Sequence, residues 1–181
     1  CYLASTTFPF ADRLNAGVLA AALGLADRTA MQDLAGSQRA ATSGLYGALD
    51  VAAAGSGPVL VTAADRRRTR PAGPQEMSYG DGAAAILVGT GELIARCLAR
   101  RTAAADFVDH FRAHDARFDY AWEERWIRDE GYLKIAPPVI AGLLADAGVE
   151  AGAVDHVCLS GPLARAYRAL AKKCGLREDA L

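Results

Sequence analysis

Histidine is scarce in this sequence, and paired cysteine is missing from it. Three histidines (His110, His114, His156) and four cysteines (Cys1, Cys97, Cys158, Cys174) are scattered through 181 residues with no CxxC pair. That spacing disfavours a metal cage or a disulfide frame and suits a reducing cytoplasm, so neither a metal nor a redox cofactor is expected. An excess of charge of one sign is also missing: 20 Lys+Arg stand against 21 Asp+Glu, for a formal net charge of −1. No global field therefore draws the chain to nucleic acid or to an anionic membrane. No apolar run approaches the roughly 20 residues that span a bilayer, and no signal-peptide pattern is visible. A starting methionine is absent as well. The chain opens at Cys1 in what reads as structured sequence and stops at Leu181 just after a helix, and so reads as part of a longer chain.

What is present is apolar and patterned. Hydrophobic residues make up 52% of the chain, enough for a domain with a real core. Residues 13–25 carry an apolar helical face, 29–35 read as a buried strand, and 38–54 return to helical spacing through Ala40, Ala41, Gly44, Leu45 and Ala48. Between them, Gly36 and Ser37 make a sharp turn. A strand passing through a tight turn into a helix is a common way to present a nucleophile, because it aims the turn's side chain and frees N–H groups at the helix start. "PVLVTAAD" (58–65) reads as a strand covered on both faces, with an edge at a dimer axis. "RRRTRPAGPQ" (66–75) is a basic loop, and "GDGAAAILVG" (80–89) a glycine-rich turn leading into a buried strand. Residues 103–130 read as helix or irregular excursion, 132–147 as a helix interrupted at Pro137–Pro138, 154–161 as a buried strand, and 162–176 as a helix capped by Gly175. Strands alternating with helices argue for a layered α/β fold.

Five segments taken in order carry a family resemblance: "YLASTTFPF" (2–10), "DLAGSQRAATSGL" (33–45), "VLVTAAD" (59–65), "GDGAAAILVG" (80–89) and "AKKCGL" (171–176). The chain resembles the thiolase superfamily, specifically ketoacyl synthase III and the hydroxymethylglutaryl-CoA synthases of archaeal type. The resemblance implies a thiolase-like, five-layered α/β fold of two similar βαβαβ-type halves, only partly present in this segment. Residues 1–92 would be the latter part of the N-terminal half and 93–181 the start of the C-terminal half. It also implies Claisen-type carbon–carbon chemistry on acyl thioesters. In the family an elbow cysteine takes the acyl group, a histidine and backbone N–H groups handle protons and the oxyanion, and a glutamate serves as acid and base.

The family's chemical groups are replaced at the matching positions. Gln38 stands where the cysteine belongs. Ser160, in "LSGP", stands where the histidine belongs, with Pro162 and Lys172–Lys173 keeping the register. Thr6, in "AST", stands where the glutamate belongs. Glutamine cannot be acylated through a thiolate. Ser37 beside it would need a base within about 3 Å, and a turn role suits it better. Gln38 is expected buried at the elbow and facing Ser160 across a shared pocket. Cys158 reads as buried packing, Asp81 as a turn-holding residue, and the pair Trp122/Trp126 as an i, i+4 packing stripe on a helix. Tyr79 and Tyr132 are available as acids at an ordinary pKa near ~10. Arg66 and Arg67, in the one conspicuous basic cluster, and Lys172 and Lys173 are candidates for the phosphates of coenzyme A.

The reading that follows is an acyl-CoA protein making or breaking C–C bonds with a non-standard site. One alternative is a degenerate scaffold subunit paired with an active homologue or an OB-fold, zinc-containing partner. Another is a glutamine-type decarboxylase of malonyl thioesters. An acyl-CoA or acyl-carrier substrate, a homodimer or thiolase-like heterodimer, and a cytoplasmic location complete the expectation, with no nucleic-acid or membrane partner.

Overall fold

The computed structural model describes residues 1–161 and 163–181, and these form two units, Cys1–Ile94 and Ala95–Leu181. Pro162, used above to keep the register, lies outside the described residues. Unit 1 is built on a sheet of order β2-β1-β3-β4, with β1 Tyr2–Ala4, β2 Gln32–Leu34, β3 Val59–Arg66 and β4 Asp81–Val88. β1 runs parallel to both β2 and β3. Parallel neighbours need crossover connections, and helices α1 (Asn15–Ala22) and α2 (Ala40–Ala53) supply them. β4 returns antiparallel along the whole of β3, from Val59 opposite Val88 to Arg66 opposite Asp81.

Small residues let α2 lie close to the sheet. Ala40, Gly44, Ala48 and Ala52 form its buried stripe, and a Cβ at Gly44 would stand 2.6 Å from Cδ1 of Leu34. Ala48 and Ala52 pack with Val59, Val61 and Val88, and Tyr2, Leu45 and Leu49 close around them. The start of α1 is held from β2. Asp33 Oδ2 accepts from the Asn15 backbone N–H at 2.8 Å and its Nδ2 at 2.9 Å, and Oδ1 accepts from the Ala16 N–H at 2.7 Å. A strand carboxylate thus satisfies N–H groups that the helix itself leaves open. Burial alone raises the Asp33 pKa, but these hydrogen bonds outweigh it and hold it below the ordinary carboxylate value.

Unit 2 opens with a short antiparallel pair, β5 His110–Phe111 and β6 Tyr120–Ala121, inside the stretch expected to be helix or irregular. A continuous helical path follows: α3 Glu124–Trp126, a π-helical turn Ile127–Tyr132, and α4 Leu133–Ala147. Pro137 and Pro138 lie inside α4 without ending it. Proline cannot donate to the carbonyl four residues back, and for Pro137 that is Leu133. Lys173, on α5 (Ala164–Lys173), donates from Nζ to the Leu133 carbonyl at 2.6 Å instead. Gly148 (φ +65°) and Gly175 (φ +68°) end α4 and α5 in the left-handed conformation, as the C-cap reading of Gly175 requires.

Several expectations are corrected. α1 is shorter than 13–25, and the strand expected over 29–35 is only Gln32–Leu34. β3 is not a sheet edge, since it lies between β1 and β4. β4 begins at Asp81, so Gly82 belongs to the strand rather than to a turn. It is not a buried strand either: it closes the sheet as an edge, and only Val88 of its residues is buried while Leu87 is 70% exposed. Residues 154–161 form no strand, and among the described residues no strand pairs with them; Val157 N–H donates to the Ala180 carbonyl at 2.7 Å. Cys158 is accordingly exposed rather than buried. Trp122 precedes its helix, so the Trp122/Trp126 pair is not a stripe on one. The two rings lie 5.8 Å apart, and Trp126 stacks on Phe107 at 4.3 Å.

Candidate functional site

Because β1, β2 and β3 are parallel, their carboxyl ends open on one side of unit 1. Ligands of open parallel α/β sheets bind outside such ends. Three segments meet there: Ser5–Thr6–Thr7 after β1, Gly36–Ser37–Gln38 after β2, and Asp65–Arg66–Arg67 at the end of β3. The antiparallel β4 starts beside them at Asp81. Thr6, Ser37, Gln38, Arg66 and Arg67 therefore share one end of the sheet, whereas Ser160, Lys172 and Lys173 belong to unit 2.

The elbow forms as the periodicity suggests. Gly36 takes φ +86°, which a side chain would resist, and the helix begins at Ala40. Ser37 Oγ accepts from the Arg39 N–H at 3.1 Å, and its carbonyl accepts from Ala40 N–H at 2.9 Å. Ser37 is thus occupied as a turn residue, and unit 1 contains no histidine to activate it. Gln38 sits in the turn, as expected, but it is exposed rather than buried. It follows an edge strand of only three residues.

Asp65 is the residue that sequence reasoning missed. Its Oδ1 accepts from the Thr6 N–H at 2.7 Å and from three hydroxyls, Ser5 at 3.0 Å, Thr6 at 3.0 Å and Thr7 at 2.9 Å. Two further bonds tie in the basic loop: Arg66 N–H donates to Thr7 Oγ1 at 2.9 Å, and Arg67 Nη1 to Thr6 Oγ1 at 2.9 Å. Burial pushes the Asp65 pKa up, but the four donors overcome it and leave the carboxyl below its ordinary range. Asp65 is therefore an anion at neutral pH. A cavity of about 470 Å³ opens beside it, with Ser5, Thr7 and Asp65 on its polar side and Leu3, Phe8 and Pro9 on its apolar side. The available signal was a run of three hydroxyl residues after one strand facing a carboxylate at the end of the next. Arg66 reaches Asp81 at 3.5 Å, an exposed pair of small energetic weight.

In unit 2, Ser160 is exposed in the turn before Gly161. Lys172 borders a groove with Arg168 and Glu178, and Lys173 is engaged with Leu133. Tyr132 differs from an ordinary tyrosine. Burial first, then the neighbouring Tyr167 and Asp109, push its pKa up to about 12. It is a poorer acid than the sequence reading assumed, and a hydroxyl that keeps its proton. Tyr79 stays in the loop before β4, its N–H bonded to the Gln75 carbonyl at 2.8 Å.

The chain is 26% identical over 180 residues to the hydroxymethylglutaryl-CoA synthase of Aeropyrum pernix, covering 98% of this chain and 50% of that protein. It superposes on the β-ketoacyl-[acyl carrier protein] synthase III of Thermus thermophilus with a TM-score of 0.83 at 17% identity, covering 99% of this chain and 60% of the other. It superposes on MvaS in complex with 3-hydroxy-3-methylglutaryl coenzyme A with a TM-score of 0.78 at 17% identity, covering 96% and 44%. No protein-family model matches the sequence. The chain spans about half the length of the curated relative it matches.

Proposed function

From a chain that carries the fold of the thiolase superfamily, we propose a protein that handles acyl-CoA thioesters at the carboxyl end of the unit 1 sheet, in C–C bond formation or cleavage without a covalent acyl-enzyme. The observation that supports it most is the convergence of the Gln38 elbow, the Thr6–Asp65 network and the Arg66–Arg67 pair on one side of the sheet. Each group has a role in this reading. The Gln38 amide donates to the thioester or enolate oxygen as charge develops there, a task that requires no thiolate. Thr6 and its hydroxyl neighbours, fixed by Asp65, shape the pocket wall. Arg66 and Arg67 take the phosphates, each as a planar fork. Lys173 is given to α4 rather than to the ligand. Malonyl decarboxylation fits the same use of the amide. The protein works in the cytoplasm as a dimer, with a second copy, a related subunit or an OB-fold partner.

A second reading, a scaffold subunit beside an active homologue, is favoured by Ser37 being occupied in its turn and by the exposure of Gln38. Calorimetry with acetyl-CoA and a turnover assay with malonyl-CoA separate the two. Binding with decarboxylation supports the enzyme; binding of neither supports the scaffold.

A further inference from the structure

Unit 2 holds a cavity of its own, of about 200 Å³, against the π-helical turn Ile127–Tyr132, a form of helix that recurs at functional sites. Ile127, Ile135 and Ala136 give it aliphatic walls, and Phe107 and Tyr132 aromatic ones. Phe107 is fixed by its neighbours. Trp126 stacks on it with ring centroids 4.3 Å apart, and Gly131 lets it close onto the π-turn, since a Cβ there would stand 2.7 Å from Phe107 Cε1. Among the described residues that line the space, Asp109 is the charged one. The hairpin holds Asp109 in place, its carbonyl accepting from the Trp122 N–H at 2.8 Å. Its carboxylate is used on one oxygen. Oδ1 accepts from the His110 backbone N–H at 2.7 Å and from His110 Nδ1 at 2.8 Å, while Oδ2 takes no hydrogen bond among the described residues. Burial raises the Asp109 pKa, but the bonds from His110 outweigh it and leave the carboxyl below its ordinary range, an anion at neutral pH.

We propose that this cavity binds a small primary alkylammonium ion, with its nitrogen on Asp109 Oδ2 and its short carbon chain against Ile127, Ile135 and Ala136. Charge decides the class of ligand. A carboxylate with an open oxygen beside an apolar space attracts a positively charged N–H donor and repels an anion. The aromatic walls act in the same direction, because a ring quadrupole attracts a cation. His110 lies on Oδ1 and leaves Oδ2 for the ligand. The volume is below the ~300–1,000 Å³ of sites for drug-sized ligands, so the chain has only a few carbons. The Asp109 side chain is 37% exposed, so salt screens part of the attraction. The acyl-thioester site of unit 1 plays no part in this binding.

Both tryptophans of the chain, Trp122 and Trp126, belong to the aromatic cluster around Phe107, so intrinsic fluorescence reports on the cavity. The test titrates the full chain with n-butylammonium chloride, n-butanol and sodium butyrate at constant ionic strength, and follows tryptophan emission and heat. The expected result is saturable binding of butylammonium, with butanol and butyrate at least tenfold weaker. Asp109→Asn keeps the side chain's shape, removes its charge and is expected to weaken butylammonium binding about fivefold or more. Ala136→Leu fills the space and is expected to abolish binding. The three probes are compared on the unaltered protein, so that comparison decides even if a variant fails to fold. Butanol or butyrate binding as tightly as butylammonium overturns the proposal. So does an absence of saturable butylammonium binding, or an Asp109→Asn protein that folds and binds it as the wild type does.

Discussion

Asp65 and Thr6 are joined twice: one carboxylate oxygen accepts from the Thr6 backbone N–H at 2.7 Å and from its hydroxyl at 3.0 Å. The same oxygen takes Ser5 and Thr7, so one atom fixes the whole loop after β1. Asp65→Asn sets an amide against four donors. The site is only partly buried, and solvent screening holds the expected loss to about 1 kcal/mol by urea denaturation at pH 7. The Asp65 pKa is lower in the folded chain than in the unfolded one. Its stabilisation is therefore complete above the unfolded value of about 4 and is lost as pH falls through the lower folded value. The gap between wild type and Asp65→Asn should shrink on going from pH 7 to pH 3. A gap that is constant with pH contradicts the network's ionic character.

Tyr132 gives the opposite sign at the alkaline end. Its folded pKa of about 12 lies above the unfolded value, so its contribution is whole below about pH 10 and is lost as pH rises toward 12. Burial also raises Tyr167, so absorbance titration at 295 nm should show late-ionising phenols, the latest of which disappears in Tyr132→Phe. A Tyr132 that ionises with the exposed tyrosines refutes the burial argument.

Lys173 and Pro137 should be energetically coupled through the Leu133 carbonyl. Lys173→Met removes the substitute donor and is expected to cost about 0.5 kcal/mol, small because the bond is exposed. In a Pro137→Ala background the helix supplies its own N–H, and the cost should vanish in a double-mutant cycle. Equal costs in both backgrounds would mean that the lysine does nothing for α4.

The elbow should refuse acylation as it stands. Intact-mass analysis after incubation with acetyl-CoA is expected to show no adduct, because Ser37 Oγ is held by the Arg39 N–H and the tip is an amide. Gln38→Cys should react faster with iodoacetamide than Cys97, since a helix start lowers a thiol's pKa. A stable acetyl adduct on Ser37 restores covalent catalysis.

Much of unit 1 was legible because its signals are local. Gly36–Ser37 separates two periodicities, and the β-branched run through Val59, Val61 and Thr62 can only be a strand. What failed was burial. Sequence reads "AAAILV" and "VCLS" as buried because they are apolar, but burial depends on what packs against them. β4 is an edge with Ile86 53% exposed, and among the described residues no strand pairs with 154–161. Asp65 was passed over for a different reason: its partners lie about 60 positions away, on a loop whose approach depends on the parallel pairing of β1 with β3. Trp122 was placed on a helix by spacing alone, because a hairpin of two-residue strands leaves no periodic trace.

The central claim, that the carboxyl end of the unit 1 sheet receives a CoA thioester, is tested most directly by calorimetric titration of acetyl-CoA into the protein and into an Arg66→Ala/Arg67→Ala variant. The account predicts saturable binding to the wild type that weakens at least tenfold in the variant and on raising salt, as charge-assisted phosphate contacts require. Absence of binding at millimolar acetyl-CoA, or equal affinity in the two proteins, would contradict it.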